Sequence, residues 1–188
     1  QVLHAKKMQA DGKNFKPIFG VEAYFTPSVE DWKAEYDRVK AEQKLKKKAA
    51  SGATVEDEEA SKKAVKNILN RRRHLILLAQ NQTGLNNLFK MVSESYQGDN
   101  YYRYPRMDFD LLSKYSEGVI AASACLGGVY AGCYWENREE GEEAVLDAMR
   151  DTTRRMIDIF GDRWYGELQW NNIPEQHELN KYIIKIHE

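Results

Sequence analysis

The sequence predicts an α/β fold in which parallel strands alternate with amphipathic helices. Three observations carry this. Four short segments, Pro17–Phe25, His74–Gln80, Gly118–Ala124 and Trp164–Gln169, are nearly continuous in apolar or small residues, the pattern of strands covered on both faces. Helical stripes separate them: Leu85, Leu88, Phe89 and Val92 form one, and Val145, Ala148, Met149, Thr152, Met156 and Ile157 another. Strand, helix, strand, helix in this order implies βα units and a parallel sheet or barrel.

Taken in order, the chain opens in a helical pattern, with Val2, Leu3, Ala5 and Met8 apolar and Lys6 and Lys7 opposite. The first strand follows within PIFGVEAYF. Residues 28–73 then break the alternation. Val29, Trp32, Tyr36 and Val39 make a narrow apolar seam in a charged surround that ends at Lys44 and Lys46–Lys48. Ser51-Gly52 reads as a helix stop, and Thr54 with Asp57 three residues on reads as a start close to a capping box. Val65, Ile68 and Leu69 line the second helix before Arg71–Arg73. This segment is a charged helical hairpin inserted between the first and second strands. The last helix carries Leu179, Tyr182, Ile183 and Ile186 at helical spacing. Neither end has a stop signal, so the chain is expected to be an internal piece of a longer protein.

The 188 residues suit one domain or a large part of one. With 42% apolar and 30% charged residues the composition is that of an ordinary globular chain. A net charge of −1 argues neither for nor against nucleic acid as a partner, but its distribution is uneven. Residues 28–73 hold 13 Lys/Arg against 9 Asp/Glu, net +4, and the remainder 15 against 20, net −5. No apolar run reaches membrane-spanning length, and no secretory signal pattern is present. Two cysteines without a disulfide framework make a reducing, cytoplasmic setting the default.

Three residues at or near strand ends have ligand chemistry. Glu22 sits inside IFGVEAYF, where an ionised carboxylate buried without a partner is very costly. A metal ion or an arginine would offset that cost, and Gly20 on the same face leaves room; a glutamate reaching solvent or a lysine is the alternative. His74 opens its strand directly after three arginines. An imidazole is a common metal ligand, although a histidine at a helix-to-strand junction is also an ordinary surface or packing residue. Cys125 ends an apolar run before Leu126-Gly127-Gly128, where a small hydrophobe is the plain reading. If the strand ends converge on one face, as in a βα barrel, oxygen, nitrogen and sulfur donors together suit zinc or another divalent metal.

Two further features invite a nucleic-acid reading. Asp108-Phe109-Asp110 has the form of a Mg²⁺-holding aspartate pair, but a helix start accounts for it better. Tyr101, Tyr102 and Tyr104 with Arg103 and Arg106 form an aromatic-basic cluster able to stack bases and bind phosphates; a tyrosine-rich surface loop is the competing reading.

The block HLILLAQNQTGLNNLFKMVSESY at His74–Tyr96 and SEGVIAASACLGG at Ser116–Gly128, with KPIFGVEAYF, YPRMDFDLL and FGDRWYGELQWNNIPEQ in the same order, resemble the polymerase-and-histidinol-phosphatase (PHP) domain of bacterial and phage-type DNA polymerase III alpha subunits. The resemblance covers almost the whole chain, and it implies that residues 1–188 are a partial PHP domain. The implied fold is part of a distorted barrel of seven βα units with a multi-metal site at its mouth. Glu22, His74 and Cys125 fall on three of the family's nine metal ligands. The other six, a His-x-His with its nearby Asp, a Thr-Asp-His and an Asp-x-His, would lie before Gln1 and after Glu188. The implied cofactors are divalent metal ions, Zn and/or Mn or Mg, at the PHP site, and Mg at a polymerase site outside this chain. The implied activity is metal-dependent phosphodiester hydrolysis that proofreads 3′ ends within a template-directed DNA polymerase. A non-catalytic PHP scaffold is the alternative, and a stand-alone PHP phosphatase a more distant one. Partners would be primer-template DNA, deoxynucleotides and other replisome subunits. The 188 residues alone are expected to be inactive. The hairpin at 28–73 is longer than the connection most relatives have there.

Overall fold

A computed structural model describes residues 2–49 and 55–187. Helix α1 (Val2–Ala10) leads through an irregular stretch to strand β1 (Gly20–Phe25). Helices α2 (Val29–Ala49) and α3 (Val55–Asn70) precede β2 (Arg73–Ala79). After α4 (Gln82–Ser95) come two very short strands, β3 (Tyr101–Tyr102) and β4 (Tyr104–Pro105), then α5 (Phe109–Lys114) and β5 (Val119–Ala122). Helices α6 (Val129–Asn137) and α7 (Glu142–Phe160) connect to β6 (Trp164–Tyr165), and α8 (Pro174–His187) follows. Ser51, Gly52 and Thr54, where the sequence suggests a helix stop and start, lie outside the described residues.

The fold is α/β, with one four-stranded sheet in the order β1-β2-β5-β6. Its strand directions correct the expectation of a parallel sheet: β1–β2 and β2–β5 are antiparallel, and only β5–β6 is parallel. The physical reason is in the connections. A single crossover helix returns the chain so that the next strand runs parallel. Between β1 and β2 stands a pair of helices packed on each other, so the second undoes the displacement of the first and β2 starts beside the end of β1. Phe25 therefore pairs with Arg73, and Tyr24 with His74.

One sheet face, carrying Ala23, Phe25, Leu75, Leu77, Val119 and Ala121, is buried. Leu88 and Met91 of α4, Leu112 of α5, Tyr130 and Ala131 of α6, and Met149 and Met156 of α7 cover it. At roughly 25 cal/mol per Å² of apolar surface, this core is the main stabilising term. Alternation along the strands puts Glu22, Tyr24, His74, Ile76, Leu78 and Ile120 on the opposite face, where they are half-buried or exposed.

The NQTGLNN block holds that sheet to the α4 start. Asn81 caps α4, its Oδ1 accepting from the Gly84 amide at 2.9 Å. Gly118, at φ +69°, turns the chain into β5 and accepts from the Gln80 amide. A Cβ on Gly84 would collide with the Gly118 carbonyl, so this close approach requires glycine.

Helices α2 and α3 have a small core of their own, Trp32, Tyr36, Ile68 and Leu69. Trp32 Nε1 donates to the Ile68 carbonyl at 2.8 Å, fastening the two helices. Asp108 does two jobs: Oδ1 caps α5 by accepting from the Leu111 amide, and Oδ2 accepts from the Val29 amide at the start of α2. Its neighbour Phe109 is buried, so Asp108-Phe109-Asp110 is a helix start that also anchors the hairpin.

Candidate metal centre

Glu22, His74 and Cys125 come from three separate segments and meet on the open side of the sheet. The β1–β2 register does half of this. Tyr24 faces His74 across the pair, and Glu22, two residues earlier, shares their face. His74 Nδ1 and Glu22 Oε1 are 2.6 Å apart. Because β2 and β5 run antiparallel, the start of β2 lies beside the end of β5, which delivers Cys125. Its Sγ stands 3.7 Å from the same His74 Nδ1.

The turn after β5 is built to hold that thiol. Ala124 takes a left-handed conformation at φ +60°, a strained choice for a non-glycine residue. The Gly127 amide donates to Cys125 Sγ at 3.3 Å, and the Gly127 carbonyl accepts from the His74 amide at 2.7 Å. A Cβ on Gly127 would just touch the His74 ring at 3.4 Å, whereas one on Gly128 would collide with the Ser123 carbonyl. The glycine pair thus locks imidazole and thiol in register, a role distinct from cradling a phosphate.

The donor set fits a divalent cation. One atom each of oxygen, nitrogen and sulfur lies within 4.8 Å of the others. Bonds of roughly 2.0–2.3 Å to zinc put tetrahedral ligands roughly 3.3–3.8 Å apart. The His74–Cys125 pair at 3.7 Å already has that spacing, and the Glu22–His74 pair at 2.6 Å would open by side-chain rotation to admit the ion. The mixture of soft sulfur with nitrogen and oxygen favours zinc, while manganese and magnesium prefer oxygen-rich surroundings. The Glu22 side chain is 54% exposed and that of His74 34%. Glu22 is therefore not the buried carboxylate that its apolar neighbours suggest, and desolvation does not explain it. The open face instead leaves a side from which substrate or water can approach.

The two arginines of the aromatic-basic cluster part company. Arg103 is exposed, and φ +59° turns it outward between β3 and β4. Arg106 is fully buried. Its guanidinium donates to the carbonyls of Tyr102, Tyr104 and Leu69 at 2.8–3.1 Å and stacks 3.6 Å from the Trp32 ring. Burial, helped by the nearby Arg72 charge, pulls its pKa down to about 10, still protonated at neutral pH. The expectation that Arg106 contacts nucleic acid is corrected: it fastens the hairpin to the body and offers nothing to a phosphate.

Sequence reasoning passed over Tyr24. Its ring lies 5.7 Å from that of His74 and lines, with Glu22, Tyr101, Arg103 and Tyr104, a cavity of about 380 Å³. The two-residue spacing from Glu22 was the available signal. Cys133, the other thiol, is on α6 and bonds to Thr152 Oγ1 and the Ala148 carbonyl. It belongs to the helix packing.

A family model described as "PHP domain" matches residues 2–171. The DNA polymerase III subunit alpha of Aquifex aeolicus is 39% identical over 96% of the chain, that of Deinococcus radiodurans 30% over 93%, and that of Borreliella burgdorferi 42% over 60%. The chain spans only 13%, 10% and 9% of the lengths of those proteins.

Proposed function

The chain belongs to the PHP domain family, and from that premise we propose that it is the PHP region of a DNA polymerase III alpha subunit whose metal centre hydrolyses phosphodiesters at a DNA 3′ end. The convergence of Glu22, His74 and Cys125 donor atoms within 4.8 Å carries this reading. Three protein ligands with an open side resemble catalytic zinc sites more than closed structural ones. The four-stranded sheet is then one arc of the distorted seven-unit barrel, its open face the inner wall and the strand ends bearing His74 and Cys125 part of the mouth.

When bound, divalent cations supply Lewis acidity, neutralising charge on phosphoryl oxygens and acidifying water. The residues of this chain do the rest. His74 presents Nδ1, its ring held by the Gly127 contacts; Cys125 presents sulfur, oriented by the Gly127 amide; Glu22 contributes negative charge. Arg103 is placed to meet a phosphate. Zinc is the first cofactor of this reading, with manganese or magnesium as alternatives. The longer protein would extend a primer on a DNA template from deoxynucleotides, with Mg at carboxylates outside these residues, beside other replisome subunits in the cytoplasm.

One observation favours a structural PHP domain instead: the Glu22–His74 pair satisfies both side chains without a cation. Metal analysis separates the two. The protein is loaded with Zn²⁺ or Mn²⁺, dialysed, and its metal content measured by mass spectrometry beside Glu22→Gln, His74→Ala and Cys125→Ser. The proposal expects retained metal in the wild type and substantial loss in each variant, with 3′-mismatch removal by the full-length polymerase falling in parallel. Equal metal content in all four proteins would support the scaffold.

A further inference from the structure

Two cavities meet at Arg103 and Tyr104. The first, about 380 Å³, reaches Glu22 and is walled by Tyr24, Tyr96 and Tyr101. The second, about 410 Å³, runs onto the α2–α3 hairpin between Tyr36, Lys62, Lys66 and Asn70. No carboxylate is among the described residues lining the second cavity. In contrast, Arg71 and Arg73 on the other side of the hairpin are paired with Glu35 and Glu136. The Arg103 guanidinium and the Lys66 ammonium have no hydrogen-bond or ion-pair partner among the described residues.

We propose that these two cavities form one track for single-stranded DNA, leading along the hairpin past Arg103 to place the terminal nucleotide beside Glu22. Three observations converge. The first cavity lies within the size range of small-ligand sites, from about 300 Å³ upward, and Glu22 of the candidate metal centre forms part of its wall. Its walls offer tyrosine faces, and Tyr96 and Tyr101 already stack with centroids 5.4 Å apart; base–aromatic stacking is how single strands are held without sequence preference. The second cavity is lined by the cationic residues Lys62, Lys66 and Arg103. A duplex keeps its base faces stacked on one another and so offers none to these tyrosines, which makes the occupant single-stranded. The left-handed backbone at Arg103 turns its side chain to the junction, where the penultimate phosphate would pass. The placement of the 3′ end at Glu22 rests on the phosphodiesterase reading; the track itself does not.

The test is binding of a fluorescent single-stranded oligothymidylate to the full chain, by anisotropy across a salt series and with chelator present, so that metal binding has no part in the signal. Arg103→Asn removes the charge while keeping a residue that tolerates positive φ, and Lys66→Gln alters an exposed helix position. The wild type is expected to bind, and each variant to bind about three- to tenfold more weakly. The slope of log affinity against log salt should flatten by about 0.7 for each phosphate no longer neutralised, a change that misfolding would not mimic. A 5-iodouracil placed at the 3′ terminus should cross-link within residues 96–104, and an internal one to Tyr36. No binding by the wild type, or unchanged affinity and slope in both variants, would overturn the track. A terminal label that reaches only Tyr36 would overturn its direction. Failure of the metal reading appears separately, as equal metal content in the Glu22, His74 and Cys125 variants.

Discussion

Glu22 and His74 stand 52 residues apart in sequence and 2.6 Å apart in space, joined across the β1–β2 pair. The whole helical hairpin lies between them in the chain. Because two helices return the chain to where it left, β2 begins beside the end of β1, and the histidine comes opposite the strand that bears the glutamate. Cys125 joins them through the antiparallel β2–β5 pair.

Sulfur in the donor set makes metal choice testable. Replacing Cys125 with serine swaps a soft donor for a hard one. Zn²⁺ affinity should fall at least tenfold, and Mn²⁺ affinity much less. Competition with a fluorescent chelator reads both. Equal losses for the two ions would mean that the thiol is not a ligand.

Gly84 packs against the Gly118 carbonyl where a side chain cannot fit. Gly84→Ala forces α4 away from the β5 turn, at a cost of about 3 kcal/mol. For a chain of this size that lowers Tm by roughly 6–12 °C, measurable by calorimetry. A substitution such as Gly12→Ala, where no atom lies within 4 Å, is strained only by its positive φ and should cost less.

Arg106 tests how the hairpin is fastened. Arg106→Met keeps the apolar stem but leaves the carbonyls of Tyr102, Tyr104 and Leu69 without their donor and removes the stacking on Trp32. The expected loss is about 3 kcal/mol. Arg106→Lys should recover little of it, because an ammonium cannot span three carbonyls as a guanidinium fork does. Urea denaturation followed by Trp fluorescence reports this directly.

The candidate site was legible in the sequence because its residues sit in short blocks with a specific resemblance, and because strand alternation is local. Strand direction was less legible. The helix pair between β1 and β2 can be read from Val29, Trp32, Tyr36, Val65 and Ile68, yet its consequence, an antiparallel return, depends on two helices packing on each other. Arg103 and Arg106 look alike in sequence, three residues apart in one loop. What separates them is Trp32 and the Leu69 carbonyl, supplied by a segment some forty to seventy residues earlier. The exposure of Glu22 was hidden in the same way: apolar neighbours on alternate positions face the core, while Glu22 does not.

Alkaline pH offers a further check. Burial raises the Cys133 thiol above its ordinary 9.0, more than its bond to Thr152 lowers it, and burial likewise raises the Tyr130 phenol above 10.0. A group whose pKa is higher in the folded state contributes stability below its unfolded pKa and loses it as pH rises through the folded one. Folding stability should therefore decline from about pH 9 upward, and Cys133→Ala should soften the first part of that decline. Denaturation curves taken at about pH 8, about pH 9 and about pH 10 give the slope; one that is flat, or the same in the variant, would contradict the assignment.

The most direct test of the proposed metal centre is the absorption spectrum of the protein titrated with Co²⁺. Coordination by Cys125 predicts an intense thiolate-to-cobalt band in the near ultraviolet that disappears in Cys125→Ser and persists in Cys133→Ala. A spectrum without that band, or one that Cys125→Ser leaves unchanged, would contradict the account in which Glu22, His74 and Cys125 hold a metal together.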